Sequence, residues 1–148
     1  MNILQQIITN NILISGAVAW LVAQIAKTIT HAIVYKTLDP KRLLGDGGMP
    51  SSHSATVTAM ALACGLKTGF DSPVFAVATI FALVVMHDAA GVRRETGKQA
   101  RVINDLVKQV YEEGMTPDEI LKEFVGHTPL QVLVGAVVGI LAALVINL

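Results

Sequence analysis

The chain has 148 residues, 53% hydrophobic and only 15% charged, with a mean hydropathy of +0.59. Eleven Lys+Arg balance eleven Asp+Glu, so no global field recruits nucleic acid, and the length suits one domain over 1–148 rather than two. This composition argues against a soluble globule and for an all-α integral membrane bundle.

From Asn2 to Ala26 there is no charge, and Ile12 to Ile25 is strongly apolar. A helix needs about 20 such residues to cross the hydrocarbon core, so this run predicts a first span reaching about Tyr35. The start lacks the basic segment and small-residue cleavage site of a secretory signal and reads as mature sequence. Lys27 sits where the run turns polar. It either snorkels to the interface or serves as a buried cation for a bound anion. Lys36 to Gly48 forms a charged loop, with Asp39-Pro40 as a turn.

Ser51 to Leu66 is uncharged apart from His53. Ala55, Ala59 and Ala63 recur every four residues, which gives a neighbouring backbone room to approach. After the Lys67–Pro73 turn, Ser72 to Met86 is a third apolar run ending in His87-Asp88. Cys64 lies inside the second run and, as the single cysteine, is a packing residue without a disulfide partner. Beyond Gly91, Val102, Ile103, Leu106, Val107 and Val110 share one helical face, predicting an amphipathic helix on the membrane surface or capping the bundle. Thr116-Pro117-Asp118-Glu119 then reads as the cap of a short helix to about Val125. The last run, Pro129 to Leu148, carries no charge. Thr128 and Gln131 have capping-box spacing, and Gly135 and Gly139 form a close-contact pair within the bundle or between subunits.

About four spans follow, with both charged loops on one side. The loops holding Arg42, Arg93 and Arg94 should face the cytoplasm, because lysines and arginines accumulate there.

The chemistry centres on Gly47-Gly48-Met49-Pro50-Ser51-Ser52-His53-Ser54-Ala55. The glycines permit unusual backbone shapes, Pro50 suits a first helical turn, and the serines supply caps. A helix start offers free N–H groups and a positive dipole end to an anion, with the His53 imidazole placed to exchange a proton. His53, His87-Asp88, Arg93-Arg94 and His127 all fall at helix ends on one side, and Lys27 and Arg42 approach it. Two histidines, fixed cations and a helix N-terminus suit phosphoryl transfer: one imidazole attacks phosphorus while the other protonates the departing oxygen. Two other classes fit the same residues. One is a non-catalytic lipid-phosphate binder or transport component; the other is a metal site of His53, His87, Asp88 and His127.

Pro50-Ser51-Ser52-His53 resembles a motif of the type-2 phosphatidic acid phosphatase superfamily, which includes the vanadium haloperoxidases. The stretch from Gly126-His127-Thr128-Pro129 to Gly135 resembles its final motif. Together with His87-Asp88-Ala89-Ala90-Gly91-Val92-Arg93-Arg94, these are similar to the superfamily's divergent bacterial and plant branch. The resemblance implies a cell-membrane lipid-phosphate or lipid-diphosphate phosphatase working without a metal or other cofactor. By the same resemblance His127 is the nucleophile forming a phosphohistidine and His53 the acid. Lys27 and Arg42 stand for the first motif's cations, with Lys36 a rival, and Ser51 and Ser52 line the phosphate.

The chain also departs from the pattern. Lys27 and Arg42 stand further apart than the family's pair, and Ser52 replaces a glycine. Leu121 stands where an arginine is expected, a cation that Arg93 or Arg94 could supply. Gln131 occupies the position of an aspartate; either Asp88 compensates for it, or Gln131 serves only to cap the helix. The chain lacks two leading helices of a six-helix core, which favours a homodimer or a smaller bundle.

Overall fold

The uncharged N-terminal run divides at an asparagine. The computed structural model describes residues 2–37, 45, 47–110 (side chains to 107) and 126–148. It opens with a short exposed helix, α1 (Ile3–Ile8), followed by α2 (Asn11–Tyr35). The Asn10 side chain accepts from the Ile12 and Leu13 N–H groups and so starts a new helix. Hydropathy alone cannot see that break, since both sides of it are apolar. α2 runs to Tyr35 as the sequence predicts and closes on Lys36 in the left-handed region (φ 53°).

α3 (Ser52–Thr68) is capped by Ser51, whose hydroxyl accepts from the Ser54 N–H, and stops at Gly69 (φ 92°). Pro50 therefore lies ahead of the cap rather than in the first turn. Ser51 holds the cap position because it has the acceptor that the helix start needs. α4 (Pro73–Ala90) has Ser72 as cap and proline in its first turn. α5 (Val92–Val110) follows a turn at Gly91, and α6 (Pro129–Asn147) opens with the expected Thr128–Gln131 capping box. The predicted Asp39-Pro40 turn and the short helix from Pro117 to Val125 lie outside the described residues.

Among the described residues, three helical stretches are long and apolar enough to cross a membrane: Asn11–Tyr35, the stretch Pro73–Val107 that contains α4, and Pro129–Asn147. α3, the fourth expected span, has 17 residues, or about 25 Å of helix against a hydrocarbon core of about 30 Å. It sits at the centre, in contact with α2, α4 and α6, so its short length is enclosed by protein.

The interior is made of small side chains and the outside of large ones. Ala19, Ala23, Ala55, Ala59 and Ala143 form one core cluster across α2, α3 and α6. Val57, Ala61 and Ala82 join α3 to α4. Leu21, Ile25, Val77, Val84, Leu133 and Leu141 point outward, the inversion expected where lipid is the solvent and close backbone approach drives association. Gly135 and Gly139 pack within the bundle, where a Cβ would strike the Ser51 and Ala55 carbonyl oxygens of α3. α3 and α6 thus run parallel from a common end, while α2 and α4 oppose them. The far end is fastened by the Asn147 amide, which donates to the Ser15 hydroxyl at 2.9 Å, and that hydroxyl donates in turn to the Asn11 carbonyl. Ser15→Ala should cost about 0.5–1.5 kcal/mol, read as a shift of the unfolding transition in detergent.

Candidate active site

The parallel pairing of α3 and α6 brings two helix N-termini together. The Ser51 N–H donates to the Gln131 carbonyl at 3.0 Å, so the start of each helix lies beside the other and their positive dipole ends converge. His53 is in the first turn of α3, and His127 is two residues before α6. Their rings meet edge to face with centroids 5.7 Å apart. Lys27 enters from α2, 3% exposed. Its ammonium donates to the Gly45 carbonyl at 3.2 Å and lies 3.5 Å from the Ser52 hydroxyl. Ser51 and Ser54 are fully buried and joined through their hydroxyls at 3.1 Å.

The loop before α3 is shaped to fit this cluster. Gly47 and Gly48 have φ of 79° and 86°, a region that other residues enter at a cost. A side chain on Gly48 would also press on the Lys27 stem, 3.1 Å from Cγ. His127 is clamped from below: its N–H donates to the Ala89 carbonyl at 3.0 Å, and Gly126 lies against the backbone of Arg93 and Arg94 with no room for a Cβ.

The His127 imidazole is held below the ordinary histidine range, first by burial and then by the charges of His53 and Lys27. Contributions from the Gln131 side chain and the Gly48 backbone oppose this. Its buried Nδ1 has no partner of good hydrogen-bond geometry among the described residues. Two imidazoles and an ammonium this close repel when charged, and an oxyanion among them would relieve the repulsion.

The other expected residues are placed differently. Asp88 binds Arg93 at 3.1 Å, with both side chains nearly half exposed, a pair worth about 0–1 kcal/mol. Arg94 and His87 are exposed. The rival lysine, Lys36, is exposed at the end of α2, whereas Lys27 is buried beside Ser52. Arg42 and Leu121 lie outside the described residues. The Gln131 amide oxygen accepts the Thr128 N–H at 2.9 Å, so it caps α6. Among the described residues no three His, Cys, Asp or Glu side chains gather as a metal site would require. Sequence reasoning missed Gly126 as a packing position and the Gly45 and Ala89 carbonyls as partners. A glycine next to a candidate nucleophile was the available signal for the first; backbone acceptors leave none.

Small-residue helices around a buried lysine and two facing histidines define an all-α integral membrane protein with a polar centre at one end of the bundle. The chain belongs to the Divergent PAP2 family, which it matches over residues 8–142, as its paired histidine motifs indicate. It is 43% identical over 152 residues to a Bacillus subtilis (strain 168) protein described as "Uncharacterized membrane protein YuiD", covering 95% of this chain and 96% of that one. No solved structure matches it.

Proposed function

We propose that the protein is a membrane phosphatase acting on a lipid phosphate or diphosphate. The observation that carries this is the His53–His127 ring pair at 5.7 Å beside buried Lys27, close enough for both imidazoles to reach one phosphoryl group. A His127 nitrogen forms a bond to phosphorus as the bond to the departing oxygen breaks, and His53 gives that oxygen its proton. Water then attacks phosphorus and returns a proton to His53, the N–P bond breaks, and phosphate leaves. Lys27 and the N-terminus of α3 with Ser51 and Ser52 offset charge on the non-bridging oxygens, a role that the motif resemblance also gives to Arg42 and to Arg93 or Arg94. Asp88 acts through Arg93, which it holds.

An apolar groove of about 410 Å³ between α3 and α4, lined by Val57, Met60, Cys64, Val74, Val77 and Phe81, supports a substrate with a tail. Val57 is one helical turn from His53 on the same face. The cationic loops favour a site on the cytoplasmic side of the cell membrane. The protein alone, or as a homodimer, needs no metal in this scheme.

Gln131 favours a second reading, a lipid-phosphate binder without turnover. An amide stabilises an imidazolium less well than a carboxylate, and this one is engaged as a cap. Purified protein given a lipid phosphate in chelator separates these readings. Phosphate release supports the phosphatase, binding without release supports the binder, and release only on adding a divalent ion supports a metal site.

The environment of His127 also sets a pH dependence. Its neutral form attacks, and its pKa lies below the ordinary histidine value of 6.5, so kcat/KM should rise with pH along an acid limb below that value. Lys27→Met removes one of the charges that lower it. The limb should move up toward 6.5 while kcat/KM falls, as a pH–rate profile would record.

A further inference from the structure

α5 meets the helical bundle through α4 alone among the described helices. At 100° per residue three sides separate around its axis. Gly97, Ala100 and Asn104 are buried on one. Val102, Ile103 and Leu106 form an apolar stripe on the second, all three exposed. Arg94, Lys98 and Arg101 occupy the third, about 120° round the axis from the stripe, with Asp105 among them and with Glu95 and Gln99 falling on the stripe's own side one to two turns earlier. From 92 to 107 the four cationic side chains (Arg93, Arg94, Lys98, Arg101) outnumber the two acidic ones (Glu95, Asp105). The helix begins two residues after α4 ends, at the end of the bundle that carries the polar site, where headgroups meet water.

We propose that α5 lies in the headgroup layer of an anionic bilayer. The stripe of Val102, Ile103 and Leu106 enters the acyl boundary, and Lys98, whose ammonium also donates to the Glu95 carboxylate at 2.6 Å, and Arg101 face the lipid phosphates. The occupant follows from charge and continuity. An apolar stripe on a helix that follows a membrane span after one residue, with cations flanking it and outnumbering the acids, matches a negatively charged surface better than a neutral one. The docking also reaches the catalytic loop. Gly126 packs on the Arg93–Arg94 backbone with no space for a side chain, and the next residue, His127, is tied to Ala89. Holding the start of α5 therefore holds the nucleophile's backbone, a consequence for turnover that rests on the phosphatase reading, whereas the docking does not.

The test uses the full chain with Cys64→Ala and Ile103→Cys, carrying an environment-sensitive fluorophore. Vesicles are phosphatidylcholine alone or mixed with phosphatidylglycerol. The label should be blue-shifted and shielded from an aqueous quencher in the anionic vesicles and far less so in the neutral ones. High salt or the double change Lys98→Gln/Arg101→Gln should reduce that anionic preference by up to about 25-fold, at about fivefold per cation. Leu106→Cys provides a second labelling position should the first variant misfold. Equal shielding in both lipids, or full exposure in both, would overturn the proposal. So would shielding that grows with the protein-to-lipid ratio, which would assign the stripe to a second copy. No turnover is needed for this readout, so it stands or falls apart from phosphate release. Where turnover is measured, anionic lipid should raise it, and the double change should remove that rise.

Discussion

His127→Ala should lower phosphate release from a lipid phosphate by about a thousandfold or more while the protein still folds. The reason lies in what the residue touches. Its backbone N–H, which donates to Ala89, survives the substitution, and its ring faces His53 rather than the alanine core. The loss therefore falls on chemistry more than on packing. Initial rates in detergent–lipid micelles, taken beside a thermal unfolding curve, check both halves. A variant that folds and still turns over would remove His127 from the nucleophile's role. His53→Ala should cost less with a substrate whose departing group is a good one, because such a group needs no proton.

The second large effect belongs to α6. A side chain on Gly139 would meet the Ala55 carbonyl oxygen, with the Ala59 nitrogen at 3.0 Å. These are backbone atoms of the central helix and have nowhere to go. Gly139→Val should destabilise the bundle by about 3 kcal/mol or more, among the large effects of overpacking. Val137→Ala, two residues away but half exposed on the outer face, should change little. Gly135→Ala is expected to do something further. Its Cβ would push on Ser51 and Ser54, so it should disturb the cap of α3, and His53 with it, before the bundle loosens. Thermal midpoints in detergent rank the three.

Much of this was legible because membrane physics writes it into residue size. The alanines at 55 and 59 and the glycines at 135 and 139 announce close helix contact by their spacing, and those positions are the centre of the bundle. His53 and His127 declared themselves by sitting at helix starts beside serine or threonine caps. The choice between Lys27 and Lys36 was not legible. Both follow an apolar run, and only the packing of α3 against α2 buries one of them. The break at Asn10 was hidden because capping is a side-chain event and the stretch around it carries no charge. Gly126 was hidden because its constraint comes from Arg93 and Arg94, distant in sequence. Gln24 was passed over too. It is buried one turn from Lys27, and its amide oxygen has no hydrogen-bond partner among the described residues. Nothing in an uncharged helix marks such a residue in advance.

The account stands most directly on whether a tetrahedral oxyanion occupies the space between the two rings. A structure determined with orthovanadate present measures that. It should show vanadium bonded to a His127 nitrogen, with vanadate oxygens within hydrogen-bond reach of His53 and the Lys27 ammonium. Vanadate held elsewhere, or none bound at saturating concentration with the two imidazoles still face to edge, would contradict it.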